Sequence, residues 1–437
     1  MKVTTLFLFT IATCATAQTP PAANALTPSL ASALNAELPK WMSFSGELRT
    51  RFEGFTGGGY GRNDDAYTLT RIRVNLKISP TPWLKFFGQA QDARVFWKNQ
   101  NPARPPFQNT MDLRQAYAEI GDVEKAHFAL KVGRQEFVYG EQRLIGHVSW
   151  LNNARSFDAV RASFGYKKLK LDAFASSVVV IKDGEFDRRA AGDNFHGLYG
   201  SATDLIPKSV IEPYVLWRVA PGRRAELSGL GKMSFFTGGA RWAGKLPANF
   251  DYGVEMAVQR GAFVQDAVDA WAGHWQMGWT AAAMRWKPHL IAEFNYASGD
   301  KNAKDGKIGT FDQLYPTPHD KYGLADQIGW KNIQHLRFGV EMKATKKLMV
   351  VPNYHDWWLA SATDALYAAS SAVVSRSANG TAGTHVGREA DLQLLFSFNK
   401  QVSLAGGLAH IFPGEFLKKT TPGKPYTYPY FQIGYTF

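Results

Sequence analysis

The run FSGELRTRFE, Phe44 to Glu53, sets the period from which the fold is read. Phe44, Gly46, Leu48, Thr50 and Phe52 fall on one face, and Ser45, Glu47, Arg49, Arg51 and Glu53 on the other. Alternation with a period of two marks an extended strand with one apolar and one polar face; a helix would scatter the same residues round its circumference. Ile72, Val74, Leu76 and Ile78 against Arg71, Arg73, Asn75 and Lys77 repeat it. Two such strands fit a soluble sandwich as well, but the pattern persists to the C-terminus. It returns in Leu169/Leu171/Ala173, Tyr252/Val254/Met256/Val258, Leu336/Phe338/Val340/Met342 and Leu392/Leu394/Phe396/Phe398. Repeated segments of about 10 residues with one apolar face, and no amphipathic helix among them, are the signature of a transmembrane β-barrel.

The connections agree. Ser79-Pro80-Thr81-Pro82, Gly165-Tyr166-Lys167, Ala344-Thr345-Lys346 and Asn399-Lys400-Gln401 are short, whereas Glu136 to Ser156, Ser298 to Lys331 and Ser361 to Val386 are long. Tight periplasmic turns and long extracellular loops produce this asymmetry, and the spacing predicts about 18 antiparallel strands in one barrel. The chain ends YFQIGYTF, with Phe431, Ile433, Tyr435 and Phe437 on one face, so the last strand presents an aromatic to lipid. This terminus resembles the signal read by the outer-membrane insertion machinery. That machinery and outer-membrane lipid are the expected partners, and pairing of the last strand with the first would remove both open edges.

The first residues, MKVTTLFLFTIATCATAQ, carry Lys2, an apolar run from Leu6 to Ala12 and the small-x-small site Ala15-Thr16-Ala17. They predict a cleaved signal peptide over 1–17, a flexible periplasmic leader over 18–40 and a barrel over 41–437. No later stretch reaches the roughly 18 consecutive apolar residues of a membrane helix. Cys14, the only cysteine, lies in the signal, so the mature chain uses no disulfide. Thr13 before it fits a lipoprotein site poorly.

With lipid on the apolar face, the other face lines the lumen. Arg49, Arg51, Arg71, Arg73, Lys77, Lys85, Lys131, Arg161, Lys170, Arg218, Arg241, Arg337 and Lys343 have that parity, against Glu47, Glu119, Glu212, Glu255, Glu341, Glu389 and Asp391. The formal net charge is +13. A guanidinium surplus in a narrow pore attracts and orients anions, and the competing reading is cross-strand ion pairing that only stabilises a polar wall. Neither a basic patch with stacking aromatics nor a recognition helix is present, which excludes nucleic acid as a partner.

The block VGRQEFVYGEQRLIGHVSWLNNARSFDAVR, Val132 to Arg161, resembles the alginate-export family of outer-membrane porins. SGDKNAKDGKIGTFDQLYPTPHDKYGLADQIGWKN, Ser298 to Asn332, and NYHDWWLASATDALY, Asn353 to Tyr367, extend the resemblance. It implies a monomeric barrel whose cationic constriction passes an anionic polysaccharide such as alginate by facilitated diffusion, with periplasmic export components behind it. Arg134, Arg143, Arg155 and Arg161 would then supply or support the constriction, on a long loop folded into the pore. Their alternative role is to anchor that loop through Glu141 or Asp158. The aromatics Trp150, Tyr199, Tyr214, Trp357 and Trp358 fit either sugar-stacking platforms or interface belts.

Catalysis finds no support: there is no nucleophile elbow or ordered triad, and Gly57-Gly58-Gly59 has no helix behind it to cradle phosphate. Asp300, Asn302 and Asp305 resemble the opening of a calcium loop, but the spacing is off and the bidentate Glu is missing. They are weak Ca²⁺ candidates in an outer loop, as are His319 and Asp320 for a metal, and no cofactor is expected. The reading is a passive channel for anionic solutes, most of all an acidic polysaccharide or oligosaccharide. Its rivals are a general or small-organic-acid porin and a plugged, adhesin-like barrel.

Overall fold

The computed structural model describes residues 30–99, 105–225 and 227–437. Eighteen antiparallel strands close into a barrel. They are β1 (Met42–Gly58), β2 (Asn63–Thr81), β3 (Leu84–Phe96), β4 (Asn109–Asp122), β5 (Phe128–Gln135), β6 (Phe157–Tyr166), β7 (Leu169–Val180), β8 (Arg188–Thr203) and β9 (Ser209–Arg224). The second half comprises β10 (Leu230–Lys245), β11 (Phe250–Phe263), β12 (Asp266–Thr280), β13 (His289–Ala297), β14 (Ile333–Lys343), β15 (Leu348–Trp358), β16 (His385–Ser397), β17 (Val402–Pro413) and β18 (Tyr426–Thr436).

Each strand pairs with the next, and β18 returns to β1 from Thr436 against Glu47 to Thr427 against Thr56. The final residue continues the seam: Gly46 N–H donates to the Phe437 carbonyl and Phe437 N–H to that of Gly46, both at 2.9 Å. The N-terminal end of β1 outruns its partner. A short helix, α1 (Leu30–Glu37), covers that overhang, where Asn35 Nδ2 donates to Phe44 O at 2.8 Å and Phe44 N–H to Asn35 Oδ1 at 2.6 Å. Residues 30–37, expected as part of a flexible leader over 18–40, are thus helical; the signal peptide and leader residues 18–29 lie outside the described residues.

Burial is inverted relative to a soluble domain. Leu48, Phe52, Ile72, Phe338, Leu392 and Phe431 are exposed, whereas Arg49, Arg51, Arg71, Glu293 and Glu389 are buried. Parity explains this, since the apolar face meets acyl chains and the polar face meets the lumen. No described helix is long and apolar enough to cross a membrane.

Inward-facing Phe174 of β7 and Phe195 of β8 break the polar rule for lumen residues. They pack with Phe137 and Tyr315 of two inward-folded loops, at ring separations of 4.6 Å for Phe137–Phe174 and 4.9 Å for Phe195–Tyr315. The first lumen loop (136–156) joins β5 to β6 and the second (298–332) joins β13 to β14. The two are hydrogen-bonded in parallel at Ile145 and Tyr315: Gly146 N–H donates to Tyr315 O at 2.8 Å, Tyr315 N–H to Leu144 O at 2.9 Å, and Thr317 N–H to Gln142 O at 2.9 Å. A third long loop (359–384) carries a hairpin, Ala365–Tyr367 with Val373–Arg376, tied down by Gln313 Nε2 donating to Ala369 O at 2.8 Å.

Candidate functional site

The inward arginines of β1 and β2 form a ladder because register sets Arg49 opposite Arg71 and Glu47 opposite Arg73. Like charges directly opposite repel, and the first lumen loop supplies the compensation. Arg49 Nη1 donates to Ser149 O at 2.8 Å, Arg71 Nη1 to Ser149 O at 2.9 Å and Leu151 O at 3.1 Å, and Arg51 Nη1 to Trp150 O at 2.8 Å. Glu47 bridges Arg71 at 2.7 Å and Arg73 at 3.2 Å. Arg114, a member of this cluster absent from the sequence-based set, pairs with Glu136 at the loop's root.

The Arg51 guanidinium lies 3.7 Å above the Trp150 ring, and His319 of the second loop stacks on Trp150 at 3.6 Å with an interplanar angle of 6°. Both faces of Trp150 are covered, so this tryptophan joins the loops and offers no platform to a sugar. Tyr199 and Tyr214 stack on each other at 5.7 Å, Trp357 is fully buried, and Trp358 lies 5.6 Å from His385.

On the opposite wall the first loop inserts Arg143, 3% exposed, beside Glu293 at 3.0 Å and Glu141 at 3.3 Å. Arg337 holds the other oxygen of Glu293 at 3.1 Å, and Arg241 holds Glu141 at 3.0 Å and Glu212 at 2.6 Å. Burial alone would raise the Glu141 carboxyl, but Arg143, His274 and Arg241 outweigh it and draw its pKa down to about 2. Arg155 has no carboxylate at hand: its Nη1 donates to Gly146 O at 3.1 Å and Pro316 O at 2.9 Å, and burial lowers its pKa to about 10, leaving it a cation at neutral pH. Arg134 pairs with Asp158 at 2.8 Å and Arg161 approaches Asp172 at 3.9 Å, both along the wall. Lys77 is exposed towards the periplasmic end of β2, opposite Ser43, away from both loops.

Above the joined loops a cavity of about 870 Å³ opens beneath the outer loops. Arg155, Arg218, Arg223, Arg224, Lys331 and Arg376 line it against Asp300, Asp312 and Asp364. Arg218 Nη1 reaches both oxygens of Asp312, at 3.0 and 2.9 Å. Burial opposes ionisation of Asp312, but Arg218 and Lys331 hold its pKa below the ordinary value. Arg376 pairs with Asp364 at 3.3 Å, and Arg223 with Asp193 at 3.3 Å in a half-open position. Arg223, Arg224, Lys331 and Arg376 were missed by parity reasoning. The Arg223-Arg224 doublet at the outer end of β9 was the available signal, and the rest sit on loops without parity.

The acidic loop candidates have other duties. Asp300 accepts Asn302 N–H and Gly309 N–H, each at 2.8 Å, and Asp305 Oδ1 accepts Lys307 N–H at 2.9 Å, while Asn302 Oδ1 takes Lys304 N–H at 3.3 Å. These are turn-closing bonds. His319 Nδ1 lies 2.8 Å from Asp326.

His355, Glu389 and Asp391 do bring one ligand atom each within 4.8 Å of one another. A chain of amide and ring nitrogens leads to His355. Asn295 Nδ2 donates to His335 Nδ1 at 3.0 Å, which leaves the His335 proton on Nε2 to be given to His355 Nδ1 at 2.9 Å. His355 Nε2 then faces Asp391 Oδ2 at 3.0 Å. Glu389 instead accepts Leu324 N–H at 2.5 Å. Gly323 permits that approach: its φ is +122°, and a Cβ there would sit 3.0 Å from both Glu389 oxygens.

A family model described as alginate export matches residues 40–427. The chain belongs to the alginate-export family. Solved structures with a similar fold include Pseudomonas aeruginosa OpdQ, 11% identical with a TM-score of 0.61 over 91% of this chain and 99% of that one. Acinetobacter baumannii OccAB2 is 13% identical with a TM-score of 0.57, covering 90% of this chain and 98% of its own. Pseudomonas aeruginosa OpdK, solved with vanillate, is 10% identical with a TM-score of 0.59 over 90% and 98%. No curated protein matches the sequence. With its closed barrel, the family member is an outer-membrane channel.

Proposed function

We propose that the channel selects anions and passes acidic saccharides by facilitated diffusion. The observation that carries this reading is the outer cavity, where Arg155, Arg218, Arg223, Arg224, Lys331 and Arg376 outnumber Asp300, Asp312 and Asp364. Each guanidinium–carboxylate contact gives a charge-assisted hydrogen bond of about 1.5–3 kcal/mol. A row of them lets a polyanion exchange partners as it moves, provided no single step binds tightly. The buried arginines of β1 and β2 act a level below, fixing the loop that sets the pore's width. The protein works as a monomer inserted by the outer-membrane assembly machinery and needs no cofactor.

A second reading, passage of small organic acids, is favoured by the two lumen loops being bonded to each other, which narrows the bore. The test is reversal potential under a salt gradient in planar bilayers, followed by addition of oligouronate or of an aromatic monocarboxylate. Anion preference that weakens in the R223A/R224A double variant, with block by oligouronate, supports the saccharide reading. Block by the small acid alone supports the second, and cation preference in the wild type overturns both.

A further inference from the structure

The last strand opens Tyr426-Thr427-Tyr428-Pro429-Tyr430, and the pairing of Tyr430 with Glu53 puts all three tyrosines on the lumen face. The rung nearest the periplasm is used up. Tyr430 Oη donates to Gln393 Oε1 at 3.3 Å, and its ring meets Trp150 edge to face at 5.0 Å. Tyr426 and Tyr428 are each only 6% exposed, yet their hydroxyls have no hydrogen-bond partner among the described residues. Both border a cavity of about 340 Å³ on the lumen side of β1, β2 and β18. A buried phenol usually finds a partner, so the space that these two face is where one belongs.

The cavity lies between the β1–β2 turn, at Gly58 and Gly59, and residues 150–152 and 325–327 of the two lumen loops. Aromatic rings make its sides. Phe55 stacks on Tyr426 at 5.8 Å, and Tyr67 meets Phe107 edge to face at 5.4 Å. Every charge along it is already matched: Arg51 with Glu53 at 2.5 Å, Lys98 with Asp65 at 2.8 Å, and Asp326 with His319 at 2.8 Å. The outer cavity, with its surplus of arginines, is built on β9 to β11 across the bore and shares no lining residue with this one. We propose that the smaller cavity binds one uncharged sugar ring. Two open phenols two residues apart on one strand face stand about 7 Å from each other, within reach of two hydroxyls of a single pyranose. The aromatic sides take the C–H faces of the ring, and the volume is at the small end of ligand sites. A purely apolar ring would leave both phenols unpaired, an anion would meet no spare cation, and an ammonium would find each carboxylate engaged. The inference stands whether or not the outer cavity passes acidic saccharides.

The experiment is a saturation-transfer NMR titration of the full-length mature protein in deuterated detergent with methyl glucoside. Wild type should give a saturable signal. The double variant Tyr426→Phe/Tyr428→Phe keeps both rings and should weaken binding about thirtyfold, the equivalent of two neutral hydrogen bonds. Tyr430→Phe makes the same chemical change at the rung already bonded to Gln393 and should bind like wild type. Absence of a saturable signal in the wild type, or equal weakening by Tyr430→Phe and the double variant, would overturn the inference. So would complete displacement of the glucoside by an equal concentration of methyl glucuronide, which would put both sugars in the cationic cavity.

Discussion

Arg143→Ala tests whether the first lumen loop is clamped or merely lies in the pore. The side chain is buried between Glu293 and Glu141, whose own side chains are 0% and 5% exposed. Breaking a buried pair by removing one partner costs about 3–5 kcal/mol. Each carboxylate keeps a second arginine, Arg337 or Arg241, so the low end applies, about 3 kcal/mol. Because the loop is one segment of a closed barrel, that loss falls on its docking and not on the strands. At 1.4 kcal/mol per factor of ten, the undocked population rises about a hundredfold. Single-channel recording should show larger and noisier conductance, with anion preference retained and the barrel's thermal unfolding little changed. Arg143→Lys keeps the charge but not the fork geometry and should fall between the two. Unaltered conductance and noise in Arg143→Ala would refute the clamp, and lost selectivity at unaltered conductance would make Arg143 the filter itself.

Trp150→Ala removes the plate between Arg51 and His319 and should open the 136–156 loop to limited proteolysis in the intact barrel; equal protection would show that the backbone bonds suffice. Asp187 precedes β8, and burial, followed by the charge of Asp112, raises its pKa from 3.8 to about 7. Its ionised form is disfavoured in the fold, so stability falls as pH rises from about 4 through 7, and Asp187→Asn should gain on wild type in Tm more at pH 8 than at pH 5. A gap independent of pH would contradict this. Deleting Phe437 removes two seam bonds to Gly46 and should reduce the heat-modifiable, folded fraction recovered from outer membranes. Normal recovery would shift the burden of closure to Gly434 and its neighbours.

The barrel was legible because its physics is periodic: alternation assigned lumen and lipid faces correctly in segments as distant as Phe44–Glu53 and Leu392–Phe398. Loop lengths placed the long connections at 136–156, 298–331 and 361–386, within a residue or two of the 136–156, 298–332 and 359–384 in the structure, since a break in period is itself a signal. The partners of the inward arginines were not legible. Arg49 and Arg71 bond to carbonyls of Ser149 and Leu151, and a carbonyl has no sequence signature. Phe174 and Phe195 look like faults in the pattern until loop residues Phe137 and Tyr315 are set against them. Nor could spacing reveal that His335 dictates the tautomer of His355, which depends on Asn295 two strands away.

The parallel hydrogen bonds between Leu144–Gly146 and Tyr315 couple segments rooted on distant arcs of the wall. Loops moving independently would give a channel four combinations of open and shut, and a current trace with intermediate steps. Bonded through their backbones, these two share one transition. Current through the barrel should jump between two levels with a single dwell-time constant for each, and loosening either root should change the frequency of the jumps without adding a third level.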